Sequence, residues 1–198
     1  MISPAERAGQ LQNRQQGIRR AGALPVLRMA GFVGDSIVDG PGLRCAIFCQ
    51  GCPHACPGCH NPATHPFAGG TMVTPEDMEA RIREYPLCRG VTFSGGEPFC
   101  QPEFFAELGE RLRRQGYELA CYTGYTFEAL LAGTPEQRRL LNVLDILIDG
   151  RFVLAQRNLT LRFRGSENQR VLDVPKSLLA GKAVWTTQTR WVGEDAPV

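Results

Sequence analysis

Nowhere do the 198 residues string together the roughly 20 apolar positions that a membrane-spanning helix needs. The N-terminus has no apolar core of the kind a secretory signal carries, so a soluble, cytoplasmic protein is expected. Neither sign of charge is in excess: the net charge is +2, which says little about partners. Internal repeats and low-complexity blocks are missing. So is any serine–histidine–aspartate or paired-carboxylate grouping, and His54 and His65 therefore receive no catalytic role. What remains is ordinary globular material, 43% hydrophobic and 21% charged, of a length that suits one domain or one domain with a tail.

Charge is unevenly distributed. Residues 1–28 hold Arg7, Arg14, Arg19, Arg20 and Arg28 against Glu6 alone, leaving the remainder slightly acidic. Such an arm is compatible with contact to nucleic acid or an acidic protein. The simpler reading is a disordered extension, with little to argue for nucleic acid. Met29 stands just before the patterned region and is an alternative start. Residues 29–198 are read as a single domain.

From residue 26 onward, short apolar runs alternate with helical patterns. Strands are expected at 26–33, 43–49, 90–94, 117–122, 143–148 and, in a less regular tail, 159–163, which the stretch QRVLDV (169–174) follows. Helices are expected at 74–84, where Thr74 can cap and Pro75 fits the first turn, and at 102–114, 126–132 and 135–142. Arg111, Arg113 and Arg114 are read as the solvated face of one of these helices. Alternation of this kind implies a parallel sheet with right-handed crossovers. About five or six strands are too few for a closed eight-fold barrel, so the expected fold is α/β, a partial (open) parallel β/α barrel. Four polar segments then fall at equivalent carboxyl ends of strands: the cysteine-rich loop 50–70, SGGEP (94–98), TGY (123–125) and DGRF (149–152). In a parallel sheet these ends share one edge, where α/β folds place ligands.

Eight cysteines without a secretory signal argue for metal or redox chemistry rather than a disulfide framework. Five lie in residues 44–62, which match Cys-x₃-Cys-x₂-Cys twice, as Cys45/Cys49/Cys52 and as Cys52/Cys56/Cys59. Cys45 and Cys49 sit in an expected strand, on the same face and roughly 13 Å apart, too far for one compact site. They read as small buried hydrophobes. Cys52, Cys56 and Cys59 are separated by Pro53, Pro57 and Gly58, which bar regular structure and let the chain curl. These three are the candidate metal ligands. Cys88, Cys100 and Cys121 are remote. The loop alone fits two centres. One is an iron–sulfur cluster with an open site; the other is a structural zinc with His54 or, under more strain, His60 as fourth ligand. Gly95-Gly96-Glu97 on the same edge offers bare backbone and a carboxylate to a small ligand, and shifts the balance toward a catalytic cluster.

Cys52-x₃-Cys56-x₂-Cys59 followed by Gly-Gly-Glu resembles the radical S-adenosylmethionine enzymes. VDGPGLR (38–44) with QGCPHACPGCHNP (50–62) narrows the resemblance to the activases of glycyl-radical enzymes. YTGY (122–125), DGRF and RGSENQR (164–170) narrow it to those acting on anaerobic ribonucleoside-triphosphate reductase. The resemblance spans residues 29–174 and leaves the stretch after Ser177 unassigned. It implies a 4Fe-4S cluster held through Cys52, Cys56 and Cys59, with S-adenosylmethionine on the fourth iron. Gly58, Cys59 and His60 would lie along that cofactor, and Gly95, Gly96 and Glu97 would receive its methionine amino group. The implied partners are the glycyl-radical reductase and reduced flavodoxin or ferredoxin as electron donor. Asp149 and Arg151 read equally as a turn after a buried strand and as a site wall or partner contact. Asn168, Gln169 and Arg170 are candidates for hydrogen-bonding an inserted glycine loop.

Overall fold

The computed structural model describes residues 25–193, so the arm expected at 1–28 lies almost wholly outside the described residues. The first strand, β1 (Leu27–Ser36), already includes the last two positions of that arm. It is followed by β2 (Arg44–Cys49), β3 (Thr71–Val73), β4 (Gly90–Gly95), β5 (Glu118–Tyr122), β6 (Ile146–Asp149) and β7 (Arg170–Asp173). They form one seven-stranded sheet in the order β3-β1-β2-β4-β5-β6-β7.

Of the expected partial (open) parallel β/α barrel, the structure bears out an α/β sheet that is parallel in the middle; its edges are antiparallel, and no barrel is shown. Strands β2, β4, β5 and β6 are mutually parallel. Strands β1, β3 and β7 pair antiparallel. The short turn at 37–43 is the reason β1 must turn back on β2, since a parallel return needs a crossover of a dozen residues or more. No pairing joins β3 to β7 among the described residues, and the sheet has two edges rather than a closed barrel. Seven strands replace the five or six expected. Two are added: β7, within the stretch 169–174, and β3, which is only three residues long and below what periodicity can register. Residues 159–163 are not a strand. Asn158 Oδ1 accepts from the backbone and hydroxyl of Thr160, and this local turn chemistry wins over the apolar alternation of LTLRF.

Helices α1 (Pro75–Arg83), α2 (Pro102–Arg114), α3 (Phe127–Leu131) and α4 (Pro135–Val143) follow the expected positions closely. Thr74 and Asp77 form a reciprocal capping box at the head of α1, and Thr134 and Gln137 repeat it at α4. Helix α2 buries Phe104, Phe105, Leu108 and Leu112 against the sheet. Arg111 on its far side is not merely solvated, since it pairs with Glu76 and Glu79 of α1. Two further helices, α5 (Val174–Ala180) and α6 (Thr189–Val192), lie beyond the patterned region.

The two faces of the sheet do different work. Cys45, Ile47 and Cys49 of β2, Val91 and Phe93 of β4, Leu119 and Cys121 of β5 and Leu147 of β6 belong to the main core, together with buried side chains of the helix layer. Residues of opposite parity point to the other face. There Ala120, Ile146, Ile148 and Val171 pack with Trp191 of α6. At the amino-terminal end of this second face lies Arg44, buried. Its guanidinium donates to Thr92 Oγ1 (2.8 Å), Glu118 Oε2 (2.7 Å) and the carbonyls of Val91 and Glu118, and stands 5.1 Å from the Trp191 ring. The carboxyl-terminal end of the same face is open.

Removing one partner of a buried charge pair leaves the other uncompensated. Arg44→Ala is therefore expected to cost about 3 kcal/mol, read as a lowered urea midpoint at unchanged slope. An unshifted midpoint would show that Glu118 is held adequately by Arg190 alone, with which it also pairs.

Candidate active site

The opening at the carboxyl ends of β2, β4, β5 and β6 is a cavity of about 530 Å³. Its walls come from the segments that sequence reasoning grouped on one edge: the cysteine loop, Ser94–Gly96, Tyr122–Gly124, and Gly150 with Phe152. The return segment 163–169 supplies Phe163, Arg164, Gly165 and Gln169.

The cysteine loop curls as its prolines and glycine require. Ala55 and Gly58 adopt left-handed backbone angles (φ +46° and +73°), and the Cys59 N–H closes on the Cys56 carbonyl at 3.1 Å. Cys52, Cys56 and Cys59 all line the cavity and are partly exposed. Burial raises the Cys52 thiol, while the backbone N–H groups of His54 and Ala55 reach its sulfur and oppose that rise. The Asn61 N–H lies 3.4 Å from the Cys59 sulfur. N–H groups aimed at sulfur are one means by which a protein tunes a thiolate-bound iron cluster. His60 is on the cavity wall, its ring 5.8 Å from Phe152.

Cys49 is absent from this wall. It is fully buried in the helix-side core, and burial pushes its thiol well up. Cys45 is equally buried, its thiol pushed up to about 12, chiefly by loss of solvent. The overlapping Cys-x₃-Cys-x₂-Cys spacings thus separate by face: one belongs to the core side of a strand, the other to a loop over the opposite face.

Gly95 and Gly96 line the cavity with bare backbone, and packing forbids anything larger. A Cβ on Gly95 would lie 2.4 Å from the Cys49 nitrogen, and one on Gly96 2.4 Å from the Gly51 carbonyl oxygen. The turn is stitched beneath the cysteine loop by Gly96 N–H to Cys49 O (2.8 Å) and Glu97 N–H to Gly51 O (2.9 Å). Glu97 itself is placed differently from the expectation that it faces a ligand. Its side chain is wholly buried and is not part of the cavity wall. Oε1 accepts from the Phe99 N–H (3.0 Å) and Thr123 hydroxyl (2.8 Å). Oε2 accepts from the Gly124 N–H (2.9 Å) and the His54 Nε2 (2.8 Å).

Sequence reasoning missed Thr123 and His54 as partners of Glu97. A polar threonine ending the apolar run of β5 was the available signal for the first; nothing in the spacing signalled the second. DGRF and RGSENQR prove to be one construction. Asp149 caps the Phe127 N–H (2.7 Å) and pairs with Arg170, which also reaches Glu128. Gln169 bridges the Gly150 carbonyl to the N–H groups of Gly165 and Ser166. Asn168 donates to the Arg151 carbonyl.

Residues 38–172 match the family described as a 4Fe-4S single cluster domain. The chain is 39% identical over 143 residues to an anaerobic ribonucleoside-triphosphate reductase-activating protein of Pasteurella multocida (strain Pm70), covering 67% of this chain and 89% of that protein. A pyruvate formate-lyase-activating enzyme of Clostridium pasteurianum is 40% identical over 97 residues, covering 46% of this chain and 41% of that one. Among solved structures, QueE from Escherichia coli matches 51% of this chain and 53% of its own at 20% identity, with a TM-score of 0.44. From the family match and the sequence relatives, the class is that of the radical S-adenosylmethionine activating enzymes, with a 4Fe-4S cluster and S-adenosylmethionine as cofactors. Within it, the chain belongs to the family of anaerobic ribonucleoside-triphosphate reductase-activating proteins.

Thiolate, not thiol, is the alkylated species. At pH 8 a thiol with a pKa near 12 is ionised to about one part in ten thousand. The iron-free chain treated anaerobically with iodoacetamide should label first at Cys52, Cys56 and Cys59. Cys45, Cys49 and Cys121 should label only after denaturant is added, as followed by peptide mass spectrometry. Early labelling of Cys49 would contradict its burial.

Proposed function

We propose that this chain activates anaerobic ribonucleoside-triphosphate reductase by making a glycyl radical on it. When bound, the cluster and S-adenosylmethionine supply a one-electron reductive cleavage to methionine and a 5′-deoxyadenosyl radical, which takes a hydrogen atom from a glycine Cα of the reductase. The electron is supplied from outside the chain, by reduced flavodoxin or ferredoxin, in the cytoplasm.

The chain's own residues have definite tasks in this reading. Cys52, Cys56 and Cys59 hold three irons. Gly58, Cys59 and His60, together with the backbone of Gly95 and Gly96, would bind and orient the cofactor. Glu97 acts from beneath, fixing the turn that carries these glycines. Phe152 and Phe163 supply apolar wall to an opening that must exclude water and oxygen.

The single observation that carries the reading is the convergence of three cysteines and the Gly-Gly turn on one cavity, while Cys49 is turned into the core. The donor set suits a cluster better than a zinc ion. Among the described residues no three Cys, His, Asp or Glu side chains stand close enough together to share a single ion. The match of residues 38–172 to a 4Fe-4S single cluster domain supports the cluster over the zinc ion. The similarity to a pyruvate formate-lyase-activating enzyme supports a second reading, in which another glycyl-radical enzyme is the target.

After anaerobic purification, iron and acid-labile sulfide should be present in near-equal amounts. Zinc in their place would refute the enzymatic reading. Cys56→Ala should lose the iron, and Cys49→Ala should keep it; equal loss would mean that the wrong triplet was chosen. Incubation with reductant, S-adenosylmethionine and each candidate partner should give a glycyl-radical resonance on the reductase. A signal on pyruvate formate-lyase instead would favour the second reading.

A further inference from the structure

His54 lies in the middle of the cysteine loop, between two cysteines, yet its side chain is 95% out of solvent, with 5% exposed. Its ring stands edge-on to Tyr125 at 4.6 Å. It also lies directly over Gly124, where a Cβ would come within 2.3 Å of the imidazole Cδ2. The glycine of the Thr-Gly-Tyr turn is thus the space the imidazole occupies. Among the described hydrogen bonds, the one from residues 53–58 that reaches beyond the loop is His54 Nε2 to Glu97 Oε2, at 2.8 Å.

The proton can be assigned from chemistry. The Glu97 carboxylate accepts from Phe99, Thr123 and Gly124, so the fourth contact is a donation from Nε2–H. That leaves Nδ1 as the acceptor nitrogen, buried and without a partner. A buried acceptor without a donor is a loss unless something else compensates for it. Here the bond to Glu97 compensates for it and holds the ring in place.

We infer that His54 is a positioning residue: its bond to Glu97 pins the middle of the cysteine loop to the Gly-Gly-Glu and Thr-Gly-Tyr turns, so that S-adenosylmethionine meets one rigid surface rather than a free loop. This rests on the proposed function above. Without the brace, the carboxylate loses one of four donors and the loop its hold on the sheet edge. Partners of this kind, which orient a centre without touching the reacting atoms, are commonly worth about ten- to a hundredfold in affinity.

The test compares His54→Ala, which removes both ring nitrogens, with His54→Gln, whose amide N–H can reach Glu97 in place of Nε2 but which lacks Nδ1. Iron and sulfide content and S-adenosylmethionine affinity by equilibrium dialysis are measured on each anaerobically reconstituted protein. His54→Ala is expected to bind S-adenosylmethionine about ten- to a hundredfold more weakly, with His54→Gln close to the wild type. Loss of the cluster from the alanine variant, restored in the glutamine variant, supports the same brace acting on the loop. Unchanged affinity and cluster content in His54→Ala, or equal loss in both variants, overturns the inference. A wild-type chain that holds no iron or does not bind S-adenosylmethionine fails the proposed function. A competent wild type matched by His54→Ala overturns the role of His54 alone.

Discussion

One buried carboxylate holds the active edge together. Moving a carboxylate out of water costs several kcal/mol unless donors replace the lost hydration. Glu97 recovers that cost from four donors, and they come from three separate segments: the turn after β4, the turn after β5 and the cysteine loop. The anion therefore fixes the relative positions of strand ends that share no continuous backbone. The close approach of Gly95 and Gly96 to the loop follows from the same constraint, because the turn must pass directly under Gly51 for Glu97 to reach its donors. An acid at position 97 thus has a structural reason as well as the ligand-binding one suggested by the motif.

Below this edge, the second face of the sheet is divided. Its amino-terminal end is closed by Arg44, Thr92, Glu118 and Trp191, and its carboxyl-terminal end is left open as the cavity. Strand parity makes the division possible. In β2, odd positions feed the helix-side core while Arg44 and Phe48 point the other way, one to the floor and one to the cavity wall. The segment after Ser177, which matched nothing in the motifs, has a place in this scheme. Trp191 of the short helix α6 covers β5, β6 and β7 on the face opposite the main helix layer, and packs edge-on to Phe163, which in turn walls the cavity.

Much of this was legible in the sequence because the signals were local. Thr74-Pro75 and Thr134-Pro135 announce helix starts through side-chain chemistry that needs no tertiary context. The burial of Cys45 and Cys49 on one face followed from the period of a strand. What could not be read depended on contacts between distant segments. The antiparallel β7 is set by its pairing with β6 across a 20-residue excursion, and β3 exists only because β1 offers it an edge. Glu97 looked like a ligand-facing acid because its motif is short and exposed in sequence. Its burial comes from residues 26 and 27 positions later and from a histidine 43 positions earlier.

The fate of the other polar motifs follows a common physical logic. Asp149, Arg170, Gln169 and Asn168 spend their hydrogen bonds on one another and on backbone, locking the return segment to the turn after β6. Side chains committed in this way are not free to act as acids or bases on a substrate. In the proposed function, reactive power at this edge comes from what the three cysteines would hold, and the protein's contribution is rigidity and shape. That division is what the proposed chemistry would require, since a reactive radical would have to meet one hydrogen atom and nothing else, and a wall of satisfied polar groups and aromatic rings offers it little else to attack.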